Sequence, residues 1–244
     1  WKYMPVTCLM MLLGNLALVG TPFFSGFYSK DSIIEAAKLS HIPGSGFAYF
    51  AVLAGVFVTA FYSFRMYFLV FHGKERWMEA KHDHHAHDDH DHHHGLGPHD
   101  VPHEQPWVVT LPLILLAIPS LAIGYIAIEP MLFKGFFDGV IFVDAHAHPV
   151  MHELTEDFHG AKAMAIHSLT SLPFILATSG VVVAWFFYMK RPDIPAWIQR
   201  KFSWINTILE NKYGFDSFNE KVFAGGSRLI GSKLWKIGDV SLID

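Results

Sequence analysis

The sequence predicts an all-α fold: a polytopic transmembrane helix bundle with one discontinuous helix and a C-terminal amphipathic helix. Three uninterrupted apolar runs, Ala48–Val70, Val108–Ile128 and Leu169–Met189, are each long enough to cross a hydrocarbon core of about 30 Å. A Gly-Thr-Pro interruption follows a further apolar run near the start of the chain. A polar tail with helical periodicity closes the sequence.

The discontinuous helix is predicted over residues 4–40. Met4–Val19 is apolar, and Gly20-Thr21-Pro22 then interrupts the helical pattern, because proline removes a backbone donor and glycine loosens the helix. A second helical stretch follows over Ser25–Ser40. Two short segments separated in this way are typical of the broken helices of secondary transporters, and the alternative is two ordinary helices joined by a turn. We expect a non-helical break between Val19 and Gly26.

Three further spans are predicted, over residues 46–71, 107–128 and 167–189, which gives a bundle over residues 1–190. A polar, His-rich loop over residues 73–106 separates the first two. Residues 129–166 are predicted to form a loop with short surface helices. Cationic residues favour one side of this bundle, so the positive-inside rule places the His-rich loop and the C-terminal tail in the cytoplasm or matrix. The cations on that side are Lys2, Lys74, Arg76, Lys81, Lys190 and Arg191, against Lys38, Lys134 and Lys162 on the other.

The tail, residues 191–244, is too polar to span a membrane. Its apolar residues recur at spacings of three and four, which predicts an amphipathic helix lying on the membrane surface. Tyr213-Gly214-Phe215-Asp216 interrupts the pattern. The alternative is a soluble helical domain packed on the bundle. The stripe consists of Trp197, Ile198, Phe202, Ile205, Ile208 and Leu209.

Lys30 is the strongest candidate for a functional residue. A lysine surrounded by lipid is costly, so an intramembrane lysine indicates an ion or proton pathway. Helical spacing predicts that Lys30 faces apolar neighbours such as Phe27 and Ile34, whereas Asp31 lies on a separate stripe. If residues 4–30 formed one straight helix, Lys30 would instead reach the interface and snorkel. Arg65, late in its span, is a second candidate for which snorkelling is the favoured interpretation.

Composition restricts the other functions. Cys8 is the only cysteine, which excludes a disulfide framework and a Cys-based metal or cluster site. The net charge of −4 does not suggest nucleic-acid binding. The loop His82–His103 carries ten His and five Asp, a composition that can bind zinc or nickel, but no fixed ligand geometry is visible. A solvated loop is the favoured interpretation, and no metal site is assigned.

Several motifs resemble the distal antiporter-like subunits of respiratory complex I, the NADH:quinone oxidoreductase. They are Gly20-Thr21-Pro22, Ser25-Gly26-Phe27-Tyr28-Ser29-Lys30-Asp31, Thr59-Ala60-Phe61-Tyr62-Ser63-Phe64-Arg65-Met66, Val70-Phe71-His72-Gly73-Lys74 and Tyr213-Gly214-Phe215-Asp216. The resemblance covers nearly the whole chain in order.

The resemblance implies that Lys30 is the terminal relay of a proton half-channel, with lower expectations for Asp31 and Arg65. It also implies that the tail begins a lateral helix contacting other membrane subunits of the complex. NADH, FMN, the iron–sulfur clusters and quinone would belong to other subunits. The chain is expected to be a fragment of a longer subunit in a bacterial inner membrane.

Two other functions stay open. The first is a subunit of a related cation/proton antiporter or membrane-bound hydrogenase, which would share the broken helix and its lysine. The second is a metal-handling membrane protein that uses the His-rich loop. The three apolar runs carry no His or Asp, which disfavours the second.

Overall fold

The computed structural model describes residues 1–75, 101–142, 144 and 149–237. Within these ranges the chain is helical and has no strand, as predicted. It divides into two compact units, Trp1–Arg191 and Pro192–Asp244. The first unit contains α1 (Pro5–Val19), α2 (Ser25–Leu39), α3 (Ser45–Phe71), α4 (Trp107–Ile128), α5 (Val150–Asp157), α6 (Ala161–Ser168) and α7 (Leu172–Trp185).

Three of these helices are long and apolar enough to span a membrane. They are α3, α4 continued by a π-helical turn to Phe133, and α7 continued by a π-helical turn to Lys190. The chain is therefore a membrane protein, and the first two spans lie where the sequence predicted them.

The predicted break between α1 and α2 is confirmed. Gly20 adopts φ +83°, and the amides of Gly20 and Thr21 donate to the carbonyls of Ala17 and Leu16 at 3.2 and 3.0 Å. This pattern is a Schellman motif, in which a glycine in the left-handed region closes the last turn of a helix. Phe23 is also left-handed, at φ +74°, before α2 begins at Ser25.

The last span differs from the prediction at its start. The sequence placed its beginning at His167, but α6 ends at Ser168 and α7 begins at Leu172. The Ser171 hydroxyl accepts from the amide of Phe174 at 3.5 Å, which caps α7, and Pro173 sits in its first turn, where proline is tolerated. The predicted span over residues 167–189 is apolar throughout its length, so its hydropathy did not indicate this second discontinuity.

Helix α6 also corrects the expected surface loop. Ala165 is fully buried in a cluster with Phe27 and Tyr28 of α2 and Ile128 of α4. The segment is thus part of the packed bundle, because small alanines on one face of α6 let it approach α2 and α4 closely.

Small residues set the main helix contacts. A Cβ added to Gly180 of α7 would lie 2.7 Å from the Phe57 carbonyl oxygen of α3, and one added to Gly124 of α4 would lie 2.5 Å from the Ser25 Cα of α2. Neither glycine tolerates a side chain at these distances. Close backbone approach of this kind is how membrane helices gain packing energy without a hydrophobic driving force.

At one end of the bundle, the start of α1 lies beside the end of α3 and contacts the segment that precedes α4. The backbone nitrogen of Trp1 lies 3.5 Å from the Phe71 carbonyl oxygen. Glu104, just before α4, accepts from the amides of Val6 and Thr7 at 2.7 and 3.3 Å and from the Thr7 hydroxyl at 2.5 Å. Met4, the N-cap residue, supplies no side-chain cap to α1, and Glu104 satisfies the amides of Val6 and Thr7 from nearly 100 residues away.

The second unit is a series of short helices rather than one continuous helix. A break follows α8 at Phe202, and a second lies at Tyr213 and Gly214, where φ is +57° and +78°. The second break matches the interruption predicted from the sequence. The helices are α8 (Asp193–Lys201), α9 (Ser203–Glu210), α10 (Phe215–Phe218) and α11 (Gly225–Leu234), with π-helical Asn219–Ala224 before α11.

Candidate functional site

Lys30 lines a small cavity of about 20 Å³. This volume is sufficient for one water molecule. The walls come from α2, from the break after α1, from α3, and from the junction between α6 and α7. Most of the lining is apolar, and the polar side chains among it are those of Lys30, Asp31, Ser168 and Ser171.

The cavity lies beside the middle of α3. Its wall includes Val56, which is roughly 16 Å from the start of α3 at Ser45 and roughly 22 Å from its end at Phe71 at 1.5 Å per residue. Lys30 is half-buried there. The straight helix that would have carried Lys30 out to the interface does not form, so the geometric basis for snorkelling is absent.

The break between α1 and α2 shapes this environment directly. A Cβ on Gly20 would lie 3.3 Å from the Lys30 Cδ, so the missing side chain leaves room for the lysine stem. A Cβ on Gly26 would lie 2.0 Å from the Ala17 carbonyl oxygen, which shows how closely α2 packs on the last turn of α1. Both glycines are therefore required by the arrangement that holds Lys30 in the cavity.

Asp31 lies closer to the site than the sequence predicted. Helical spacing placed it on a separate stripe, but it lines the same cavity as Lys30, because helices pack against α2 on more than one face. Asp31 interacts electrostatically with Glu35, Lys38 and His167. Glu35 and Lys38 form an exposed ion pair at 2.8 Å. Lys30 and Asp31 therefore line the same cavity, and His167 at the end of α6 is within electrostatic range of Asp31.

Sequence reasoning missed the contribution of Ser168 and Ser171. The Ser168 hydroxyl donates to the Ala165 carbonyl at 2.8 Å, and Ser171 caps α7. The available signal was a serine three residues after another serine and two residues before Pro173, which is typical of a helix start. It was overlooked because both serines were assigned to one apolar span.

Arg65 is placed away from the cavity. It lies on α3 roughly 13 Å further along the helix axis than Val56, and its guanidinium sits over the ring of Tyr188 at 5.2 Å. Arg65 is exposed. The geometry agrees with a cation at the end of its span, and a functional role for Arg65 stays a prediction.

Buried polar contacts also lie between α1 and α3. The Asn15 amide donates to the Ser63 carbonyl at 3.5 Å, and the Cys8 thiol lies 3.3 Å from the Tyr67 hydroxyl. The Ser63 hydroxyl is buried without a hydrogen-bond partner. Asn15 was not identified from the sequence, although it is a buried amide side chain within the apolar run of α1.

Most of the His-rich loop His82–His103, whose composition can bind zinc or nickel, lies outside the described residues. Among the described residues, no group of three or more His, Cys, Asp or Glu side chains is arranged to hold a metal ion.

Residues 1–61, which include α1, the break, α2 and the Lys30 cavity wall of α3, match the family described as NADH:quinone oxidoreductase/Mrp antiporter, transmembrane. Subunit L of NADH-quinone oxidoreductase from Neisseria meningitidis serogroup A is 61% identical over 243 residues, covering 100% of this chain and 36% of the relative. Over its whole length the chain is thus similar to subunit L of an NADH-quinone oxidoreductase.

More distant relatives carry related names. Chain 5 of an NAD(P)H-quinone oxidoreductase from Synechocystis is 32% identical over 268 residues, covering 100% of this chain and 36% of the relative. Subunit L from Rhodobacter capsulatus is 30% identical over 308 residues, covering 100% and 40%. The chain thus spans little more than a third of the length of these subunit L and chain 5 relatives.

Proposed function

We propose that this chain is part of a proton-translocating membrane subunit of an NADH:quinone oxidoreductase, in which Lys30 relays protons within a half-channel. One observation carries the proposal: a half-buried lysine shares a water-sized cavity with Asp31 beside the middle of a membrane span. Ionisable groups at such depth are expensive and mark ion or proton paths. The match of residues 1–61 to the oxidoreductase and antiporter family supports the same role.

The chemistry follows from the residue types in the cavity. A lysine can cycle between ammonium and amine, whereas arginine stays charged in proteins. Asp31 adds a second titratable side chain to the lining of the same cavity. Because the helix is broken, Lys30 lies beside the middle of α3. The backbone polar groups freed at the break line a cavity and are not exposed to lipid.

Redox chemistry is proposed to lie in other subunits of the complex. Iron–sulfur clusters are held by several cysteine thiolates, and the sequence contains Cys8 alone, which is buried beside Tyr67. We therefore propose that the clusters lie in partner subunits, and the resemblance implies the same for NADH, FMN and quinone. The tail is proposed to contact other membrane subunits through its apolar stripe.

The cationic residues support an orientation in a bacterial inner membrane. Lys2 precedes α1 and Lys74 follows α3, at the end where Trp1 meets Phe71. Lys190 ends the π-helical turn that continues α7. Tyr188, two residues earlier, lies under the Arg65 guanidinium, near the end of α3 that carries Phe71. By the positive-inside rule this end, with the His-rich loop and the departure point of the tail, is proposed to face the cytoplasm.

A related cation/proton antiporter subunit is the second candidate. The matching family covers both oxidoreductases and Mrp antiporters, and both would use the lysine of the broken helix. The two functions differ in their driving reaction: NADH oxidation drives proton movement in the first, and a cation gradient drives it in the second.

The direct test is substitution of Lys30 in the intact complex. Lys30→Ala is expected to abolish most proton pumping into inverted membrane vesicles per NADH oxidised, because the cavity loses its protonatable amine. Lys134→Ala is the matched control, since Lys134 forms an exposed ion pair with Glu129 at 2.7 Å outside the cavity. Normal pumping by assembled Lys30→Ala complex would contradict the proposal. Proton movement driven by a sodium gradient without NADH would favour the antiporter.

A further inference from the structure

A second helix discontinuity borders the Lys30 cavity. Helix α6 ends at Ser168 and α7 begins at Leu172, and both Ser168 and Ser171 line the cavity. The cavity therefore lies where two interrupted helix pairs meet: α1–α2, which carries Lys30, and α6–α7. Irregular backbone at membrane depth is tolerated where it is buried in protein or lines a water-filled cavity.

The hydroxyl of Ser168 has one hydrogen-bonding role left for the cavity. Ser168 is 4% exposed, and its hydroxyl donates to the Ala165 carbonyl at 2.8 Å, three residues earlier on α6. A serine hydroxyl has one proton and two acceptor lone pairs. Because the bond to Ala165 engages the proton, the Ser168 oxygen can only accept a further hydrogen bond.

The Lys30 ammonium has the opposite capacity, since it carries three donors and no acceptor. Within the described ranges it forms no ion pair or hydrogen bond with a protein group. The cavity of about 20 Å³ has room for one water molecule between such partners. A water in the cavity can donate one O–H to Ser168 and accept from Lys30, and its second O–H then remains for a further acceptor.

We infer that Ser168 is a positioning residue: it holds a water in the cavity with a lone pair directed at Lys30, and this water exchanges the proton with the lysine. The inference rests on the proposed function and extends it to a residue outside the family match, which ends at residue 61. Ser168 carries no proton along the route, because its own proton stays in the bond to Ala165.

The proton balance involves Lys30 and water alone. The Lys30 ammonium gives a proton to the held water and becomes a neutral amine. The held water gives one of its own protons to a neighbouring water on the exit side, which leaves as hydronium, so the held molecule is water again at the end of the step. Lys30 returns to ammonium when it takes a proton from the entry side.

The test compares proton pumping per NADH oxidised by variants of the intact complex in inverted vesicles. Ser168→Ala removes the acceptor and is expected to lower pumping about two- to tenfold, the factor that corresponds to the loss of one hydrogen bond. Ser179→Ala is the matched control and is expected to pump like the parent. The half-buried Ser179 of α7 also donates to the carbonyl three residues earlier, that of Leu176 at 2.7 Å, but it does not line the cavity.

A second pair of variants separates the hydroxyl from packing. Ser168→Thr keeps a hydroxyl that can bond the carbonyl three or four residues earlier, whereas Ser168→Val has nearly the same shape without it. Both enlarge a buried side chain, so they share the cost of packing. Greater pumping by the Thr variant supports the inference, and equal pumping overturns it. This comparison replaces Ser168→Ala if that variant does not assemble.

A structure of the parent complex that resolves ordered waters checks the site itself. A water within about 3.2 Å of both the Ser168 hydroxyl oxygen and the Lys30 amine nitrogen is expected, and a side chain in its place overturns the inference. Parent-like pumping in Ser168→Ala, or an equal loss in Ser179→Ala, also overturns it. If Lys30→Ala has lost pumping, the proposed function then stands, whereas parent-like pumping in assembled Lys30→Ala overturns both.

Discussion

At the scale of single residues, Lys30 and Glu104 both act through contacts that are distant in sequence. Lys30 lines one cavity together with Val56 of α3 and Ser171 before α7. Glu104 caps α1 from the segment that leads into α4. A carboxylate at a helix start satisfies free amides and complements the helix dipole. The cavity shared by Lys30 defines the candidate site. The cap by Glu104 stabilises the start of α1, the helix that precedes the break.

Glu104 gives a prediction for stability and its pH dependence. Hydrogen bonds from Thr7 and Val6 hold the pKa of the Glu104 carboxyl below its usual value. Its stabilisation is therefore present above the unfolded-state pKa and is lost as the pH falls through the lowered folded-state pKa. Glu104→Ala is expected to destabilise the bundle by about 0.5 to 1 kcal/mol at pH 7, at the low end for a lost cap because the carboxylate is only partly buried.

The measurement is the thermal unfolding of detergent-purified protein between pH 7 and pH 2. The difference in melting temperature between parent and Glu104→Ala is expected to be constant down to about pH 4.3, the pKa of a free glutamate, and to close below it. Glu210→Gln in the tail serves as an exposed control with little effect. A difference that stays constant down to pH 2 would contradict the capping role.

At the scale of elements, the break after α1 is the feature on which the site depends. The left-handed Gly20 ends α1, and its missing side chain leaves space beside the Lys30 stem. The following left-handed Phe23 is a costly conformation for a residue with a Cβ. Such a conformation persists where the surrounding packing enforces it, here by Gly26 against the Ala17 carbonyl.

Gly20→Ala tests this element. Alanine in the left-handed region costs about 1 kcal/mol or more, and its Cβ would press on Lys30. We expect lower pumping per assembled complex and a lower melting temperature. Gly14→Ala is the control within the same helix, because a Cβ there meets nothing within 4 Å and alanine is the better helix former. Equal behaviour of the two variants would contradict the importance of the break.

Local chemistry explains which elements the sequence could predict. Gly20 and Pro22 are strong local signals, so the first break was predicted within a few residues. The second break, at Leu169–Ser171, lies within an apolar stretch and depends on a serine cap, so hydropathy concealed it. The position of Asp31 could not be predicted because it depends on the arrangement of α3, α6 and α7 around α2, which helical periodicity on one element does not contain.

At the scale of the whole molecule, large apolar surfaces remain exposed on the described helices. Side chains of α4 such as Trp107, Leu116 and Ile126 are more than half exposed, as expected for a membrane span that meets lipid or other helices. The apolar residues of the tail are also exposed, including Trp197 and Phe223. These surfaces fit the proposal that lipid and further membrane subunits surround the chain.

The His-rich loop gives a prediction at this scale. Deletion of Lys81–His103 is expected to leave proton pumping nearly intact, because the proposed route runs through the Lys30 cavity. The parent protein is expected to retain Zn²⁺ or Ni²⁺ weakly, and removal of the metal with a chelator should leave pumping unchanged. A large loss of pumping in an assembled deletion variant would assign the loop a functional role.

The most direct test of the central claim is proton pumping by Lys30→Arg, measured per NADH oxidised in inverted vesicles and normalised to assembled complex. Arginine keeps the positive charge but does not cycle through a neutral form. A proton relay therefore predicts strongly reduced pumping for Lys30→Arg, with partial activity for Lys30→Glu. A lysine that only supplies charge or anchors the helix predicts parent-like pumping for Lys30→Arg, and that result would contradict the relay.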